Sequence, residues 1–154
     1  MSTPFTDDDV RFMTMALKEA EAAAAMDEVP VGAVIVSQGQ VIARAHNLCE
    51  RLRDFTAHAE MQAFTSASEY LGGKFLDKCT LYVTLEPCPM CASAISQARI
   101  ARVYYGAADP KSGGVAQGPR VFAHPQSHHV PEVYDGLAAE ECEALLKTFF
   151  AERR

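Results

Sequence analysis

Two short stretches carry the residue types from which a metal centre could be built: His58-Ala59-Glu60 and Pro87-Cys88-Pro89-Met90-Cys91. An imidazole nitrogen and two thiolates are preferred zinc donors. Three protein ligands leave the fourth tetrahedral position open, which is the arrangement of a catalytic rather than a structural site. Cys49, Cys79 and Cys142 fall in a loop, at a strand entry and within a helix, without partner spacing, so none offers an obvious fourth ligand. Two thiolates formally neutralise a divalent zinc, so water at the open position is acidified less than in an all-histidine site and needs a base beside it. Glu60, two residues past His58, is placed to take that proton without being a ligand and then to carry it to a leaving group. Coincidental core cysteines with a surface glutamate are the plainer explanation, but residue type, spacing and position at helix starts coincide here.

The elements that must position these residues are legible in the pattern around them. Thr6 followed by three Asp residues offers a cap and negative charge for an amphipathic helix over 7–27. Pro30 separates it from an apolar run at 31–37, which a Gln38-Gly39 turn joins to 40–45 as a hairpin. Residues 47–55 read as a polar loop, and a second helix starts near His58 and ends before Gly72-Gly73. The β-branched and aromatic stretch 80–85 predicts a buried strand running directly into the cysteine motif. Pro89 suits the first turn of a helix over 89–98, which puts Cys88 at or near the N-cap and Cys88 and Cys91 on one face of that turn. Both ligand pairs therefore sit where backbone N–H groups and the positive end of a helix dipole favour thiolate. A strand at 102–106, a long loop from 107 to about 125, a short strand at 130–134 and a closing helix over 137–153 complete an α/β layered order. Of the adjacent Phe149 and Phe150, at least one is expected in the core, and Arg153 and Arg154 read as a solvated helix end.

The 154 residues fit a single domain over 1–154, with 49% apolar and 22% charged residues, which excludes disordered and fibrous classes. The N-terminus is acidic and lacks the pattern of a secretory signal, and no apolar run approaches the length of a membrane span. An odd count of five cysteines points to a reducing compartment, and cytoplasm is the expectation. With 14 Lys plus Arg against 20 Asp plus Glu, the net charge of −6 repels polyanions at long range, so nucleic-acid binding has to be local. Residues 99–124 carry Arg99, Arg102, Lys111 and Arg120 against Asp109 alone, whereas residues 1–28 carry two cations against seven acids. This asymmetry directs an RNA toward the later half of the chain. His124, His128 and His129 look like further ligands, but loop histidines are more often solvated and receive no role.

A histidine, alanine, glutamate triplet followed by Pro-Cys-x-x-Cys is the signature of the zinc nucleobase deaminases, in which hydroxide attacks the ring carbon bearing the exocyclic amine. Beyond the motif, the chain resembles the bacterial tRNA-specific adenosine deaminases over nearly its whole length. The resemblance rests on residues 28–34, 56–61, 80–88, 105–107 and 109–113, and on the stretch from Glu141-Cys142 to Arg153-Arg154. It implies a three-layer α/β/α fold of the cytidine-deaminase type, with a central mixed sheet of about five strands. It also implies a homodimer that binds a tRNA anticodon stem-loop and converts the wobble adenosine to inosine. Carried over by position, His58, Cys88 and Cys91 would hold Zn²⁺, Glu60 would shuttle protons and Asn47 would contact the flipped nucleotide. The backbone at Ala59 and Leu85 would lie near the base, and Asp109 and the closing helix near the RNA. For Asn47, a polar cap at a strand end is an equal reading. Phe55 stands where most members have Pro, offering an altered pocket loop or an aromatic surface for a base.

The metal motif is shared with free-base deaminases of guanine or cytosine, which is the competing assignment. A binding module keeping zinc only for stability is the third.

Overall fold

The computed structural model describes residues 5–153. Five strands form one mixed sheet in the order β2-β1-β3-β4-β5: β1 Gly32–Ser37, β2 Gln40–His46, β3 Cys79–Leu85, β4 Arg102–Ala107 and β5 Glu132–Tyr134. β1 runs antiparallel to both β2 and β3, whereas β3, β4 and β5 are mutually parallel. The helices are α1 Asp7–Ala25, α2 Cys49–Leu52, α3 Ala59–Leu71, α4 Pro89–Ala98 and α5 Ala139–Ala151.

Both faces of the sheet are covered, which is why the central strands read as continuous apolar runs rather than alternating ones. Ala33, Ile35, Leu81, Val83, Val103 and Tyr105 pack with residues of α3 and α4. Their neighbours Val34, Val36 and Tyr82 point the other way, onto Phe12, Met13 and Ala16 of α1. With α5 packed beside α1 against β4, three layers result, α1 and α5, the sheet, then α3 and α4. The expected three-layer α/β/α arrangement around five strands is what forms. A Cβ on Gly32 would lie 1.9 Å from the Ala16 carbonyl oxygen, so α1 rests on β1 closely enough that only glycine fits.

Thr6 caps α1 in a full capping box with Asp9. The other Asp9 oxygen accepts the Tyr82 hydroxyl at 2.7 Å, tying the helix start to the middle of β3. α3 and α4 both end in a left-handed residue, Gly72 and Arg99.

Three details differ from the sequence expectation. The loop after β2 contains the one-turn helix α2, because the buried Glu28 carboxylate accepts the Glu50 and Arg51 amides at 3.0 and 2.7 Å. That contact spans more than twenty residues of chain and leaves no local pattern. α1 stops at Ala25 rather than 27, and α5 starts at Ala139 because Ala138 adopts a positive φ of 57°. Phe149 is buried and Phe150 exposed, as adjacency on a helix required. Arg153 is exposed and donates to the Phe149 carbonyl at 3.0 Å, as expected of a solvated helix end, and its guanidinium also stacks on the Phe149 ring and pairs with Asp27 just past α1. Arg154 lies outside the described residues.

Candidate active site

β3 delivers the chain at its C-terminal end into Glu86-Pro87-Cys88, and α4 begins at Pro89 with Cys88 as its N-cap. Pro at the first helical position has no N–H to satisfy, so this start forms without a side-chain cap and leaves the Cys88 thiol free for the site. Cys91, one turn on, is fully buried beneath it. On the other side His58 is the N-cap of α3, yet its side chain makes no capping bond. Asn47, from the end of β2, supplies that bond instead: its Oδ1 accepts the Ala59 amide at 2.7 Å, and its Nδ2 donates to the Val29 carbonyl at 3.2 Å. The imidazole is thereby released toward the cysteines.

His58 Nδ1 lies 3.6 Å from Cys88 Sγ and 3.6 Å from Cys91 Sγ, and the three donor atoms all fall within 4.8 Å of one another. Zinc–sulfur and zinc–nitrogen bonds of about 2.3 and 2.0–2.1 Å at a tetrahedral angle separate N from S by about 3.5 Å. The donor set and its spacing thus fit a zinc ion as they stand.

Charge is poised in the same sense. The Cys88 thiol is drawn down to about 4 by the hydrogen bond from Cys91, and His58 helps despite burial. Cys91 is pushed up by giving that bond, by burial and by the nearby Glu60 and Cys88 charges. Metal binding would displace the proton this pair shares. His58 is raised chiefly by its bond to Cys88. Burial lifts the Glu60 carboxyl to about 7, opposed by His58. A carboxyl that is 3% exposed and balanced near neutral pH can both accept and return a proton.

These groups line a cavity of about 240 Å³ that takes in Asn47, His58, Glu60, Leu85, Cys88 and Asp109. Ala59 is fully buried at the helix start, with its amide held by Asn47. Of the residues singled out in the sequence, six line the cavity, Asn47, His58, Glu60, Leu85, Cys88 and Asp109, while Ala59 and Cys91 are buried at the two helix starts beside it. The sequence missed Cys49, Glu86 and Ser112, which also line it. A second cavity of about 560 Å³ shares Val29, Leu85, Asp109 and Ser112 with the first and adds Lys111, Glu143, Lys147 and Phe150. α5 thus reaches the neighbourhood of the site, and Lys147 supplies a cation there that linear spacing gave no reason to pair with Lys111.

The charge count along the chain needs correcting. Of the four cations in residues 99–124, only Lys111 faces this region. Arg102 pairs with Glu132 at 2.9 Å on the sheet edge, Arg99 stacks over Phe75, and Arg120 bonds the Ala116 carbonyl. Phe55 is 95% exposed and does not line the cavity.

Comparison with known proteins agrees with the geometry. The model of the MafB19-like deaminase family matches residues 7–154. The chain is 54% identical to the tRNA-specific adenosine deaminase of Agrobacterium fabrum, over 93% of this chain and 94% of that protein. It is 45% identical to the Bacillus subtilis protein of the same name, over 95% and 91%. A solved structure from a study of A-to-I editing by tRNA:A34 deaminases at the wobble position superposes with a TM-score of 0.87 at 54% identity, covering 88% of this chain and 99% of that one. The guanine deaminase of Nitrosomonas europaea superposes with a TM-score of 0.81 at 22% identity, covering 98% and 86%, a likeness of fold alone.

Proposed function

Because the chain belongs to the MafB19-like deaminases and, among them, to the family of tRNA-specific adenosine deaminases, we propose that it hydrolyses the wobble adenosine of a tRNA anticodon to inosine, with release of ammonia. The observation that carries the deaminase chemistry is the meeting of His58, Cys88 and Cys91 at tetrahedral spacing beside a buried Glu60, and the 54% identity to a tRNA-specific adenosine deaminase supports the substrate.

His58, Cys88 and Cys91 would hold zinc, whose Lewis acidity makes water nucleophilic near neutral pH. Glu60 moves the protons. Its carboxylate takes one from the attacking water and passes it to the ring nitrogen next to the reacting carbon, then takes the second from the new C6 hydroxyl and delivers it to the amine that leaves. A C–O bond forms at C6 and the C6–N bond breaks, so adenosine and water become inosine and ammonia. Asn47 holds the start of α3, and with it His58 and Glu60, and faces the same cavity as the base it is proposed to contact. Leu85, Ala59 and Asp109 would bound the base, and the adjoining cavity with Lys111 and Lys147 would take the neighbouring phosphates. No helix among the described residues is long and apolar enough to cross a membrane. This reading has residues 1–154 act as one domain in the cytoplasm, on tRNA.

A homodimer belongs to the same reading. Its support is an apolar groove of about 820 Å³ between α3 and α4, lined by Met61, Phe64, Phe75, Met90, Ala94 and Ala98, which a second copy would cover. Sedimentation of the zinc-loaded chain at twice the monomer mass supports this, and a monomer at micromolar concentration rejects it.

The function is tested by incubating zinc-loaded protein with an anticodon stem-loop bearing adenosine at the wobble position, alongside free adenosine, guanine and cytosine. Inosine in the digested RNA without turnover of the free compounds is the expected result. Turnover of a free base without inosine moves the protein to nucleobase salvage.

A further inference from the structure

Glu86 is a buried carboxylate that the chemistry described above does not use. It is 2% exposed, directly follows β3 and precedes the Pro87-Cys88 turn, and takes part in no ion pair among the described residues. Its charge is met instead by four backbone amides of one loop. Oε1 accepts Asp109 at 3.1 Å, and Oε2 accepts Val115, Ala116 and Gln117 at 3.1, 2.9 and 3.1 Å. A single oxygen taking three successive N–H groups is the inverse of an anion-binding nest, with the anion built into the chain. Hydrogen bonds to an ionised acceptor are among the stronger ones a buried carboxylate can make.

The loop is seated as closely as the bonds suggest. A Cβ on Gly113 would lie 2.6 Å from Glu86 Cδ, and one on Gly114 would lie 2.5 Å from the Pro89 nitrogen. The Gly114 amide donates to the Pro87 carbonyl at 2.8 Å. The clamp therefore closes on the turn that carries Cys88. From its Asp109 end hangs a short segment shaped by the Asp109 carboxylate, which accepts the amides of Lys111 and Ser112 at 3.2 and 3.0 Å. Asp109 and Ser112 form the partition shared by the small cavity at His58 and the larger one at Lys147.

We propose that Glu86 is a positioning residue for substrate: its carboxylate holds the 109–117 loop against the Cys88 turn, so that the Asp109–Ser112 wall stands at a fixed distance from the metal ligands and sets how the RNA enters. The inference rests on the deaminase reading only for the choice of substrate. Glutamine has the same shape but one acceptor fewer, so whichever way its amide turns, an N–H donor faces the amide of Asp109 or those of residues 115–117.

The test uses the zinc-loaded full chain. Glu86→Gln should keep wild-type zinc content and exchange its amide hydrogens at 109 and 115–117 faster, with α3 and β3 unchanged. KM for the anticodon stem-loop should rise roughly tenfold with kcat within about threefold, because a misplaced wall weakens binding more than proton transfer. Gly113→Ala, which pushes the loop off an intact Glu86, should show the same KM rise and decides the matter if the glutamine variant does not fold. Unchanged exchange at those amides, or KM within about twofold in the variant that folds, overturns the proposal. Loss of zinc in step with kcat also overturns it, since Glu86 would then act on the Cys88 turn alone. If the wild-type chain makes no inosine, the substrate reading fails by itself and the exchange measurement still decides whether Glu86 holds the wall.

Discussion

The starts of α3 and α4 meet across one cavity and are built in opposite ways. α4 has no first amide to satisfy, because Pro89 carries no N–H, and Cys88 and Cys91 follow from the geometry of a single helical turn. α3 borrows its cap: His58 turns its side chain to the cysteines, and Asn47, from another element, holds the Ala59 amide. A helix that gives its capping side chain to a site must dispense with a cap or import one, and this protein does each once. The metal pair is consequently a local property of the chain, whereas the aim of His58 and the proton carrier Glu60 depends on a contact from elsewhere in the fold.

That difference can be broken from either side. Cys88→Ala should remove zinc and take turnover to the detection limit, and a chelator applied to the wild type should do the same, reversed by added zinc. Metal analysis beside the inosine assay checks both, and turnover surviving in metal-free protein would sink the division. Asn47→Ala should keep zinc, lower stability by about 1 kcal/mol through loss of the imported cap, and cut kcat on the order of tenfold as Glu60 loses its aim. Urea unfolding with single-turnover kinetics measures it, and an unchanged midpoint would mean the cap is dispensable on both helices. The smallest effect belongs to the rim. Lys147→Ala should weaken stem-loop binding and lower the slope of log affinity against log salt by about 0.7, as for one phosphate contact on a single strand. An unchanged slope in anisotropy titrations would remove α5 from the RNA path.

What the sequence disclosed follows the same line between local and imported. His58, Glu60, Cys88 and Cys91 were legible because ligand chemistry demands particular residue types, and the helices announce themselves, α4 by Pro89 and the strand before it and α3 by the Gly72-Gly73 that ends it. The strand and helix order was legible from periodicity and pointed to an α/β layered domain, whereas the three layers came from the family resemblance and are seen in the burial of both sheet faces. Glu28 and Glu86 were not, because each acts on amides more than twenty residues away and is, in sequence, one acid among 20. The same limit undid the charge count. Arg102 and Lys111 are near in sequence, yet one is spent on Glu132 at the sheet edge and the other stands by the cavity with Lys147.

The division of labour between the two helix starts is tested most directly on one preparation of Glu60→Ala, measuring zinc bound per chain and inosine formed on the anticodon stem-loop. Zinc equal to wild type with inosine formation reduced on the order of 10² to 10⁴ is the predicted result. Zinc lost as in Cys88→Ala, or inosine formed at the wild-type rate, would contradict it.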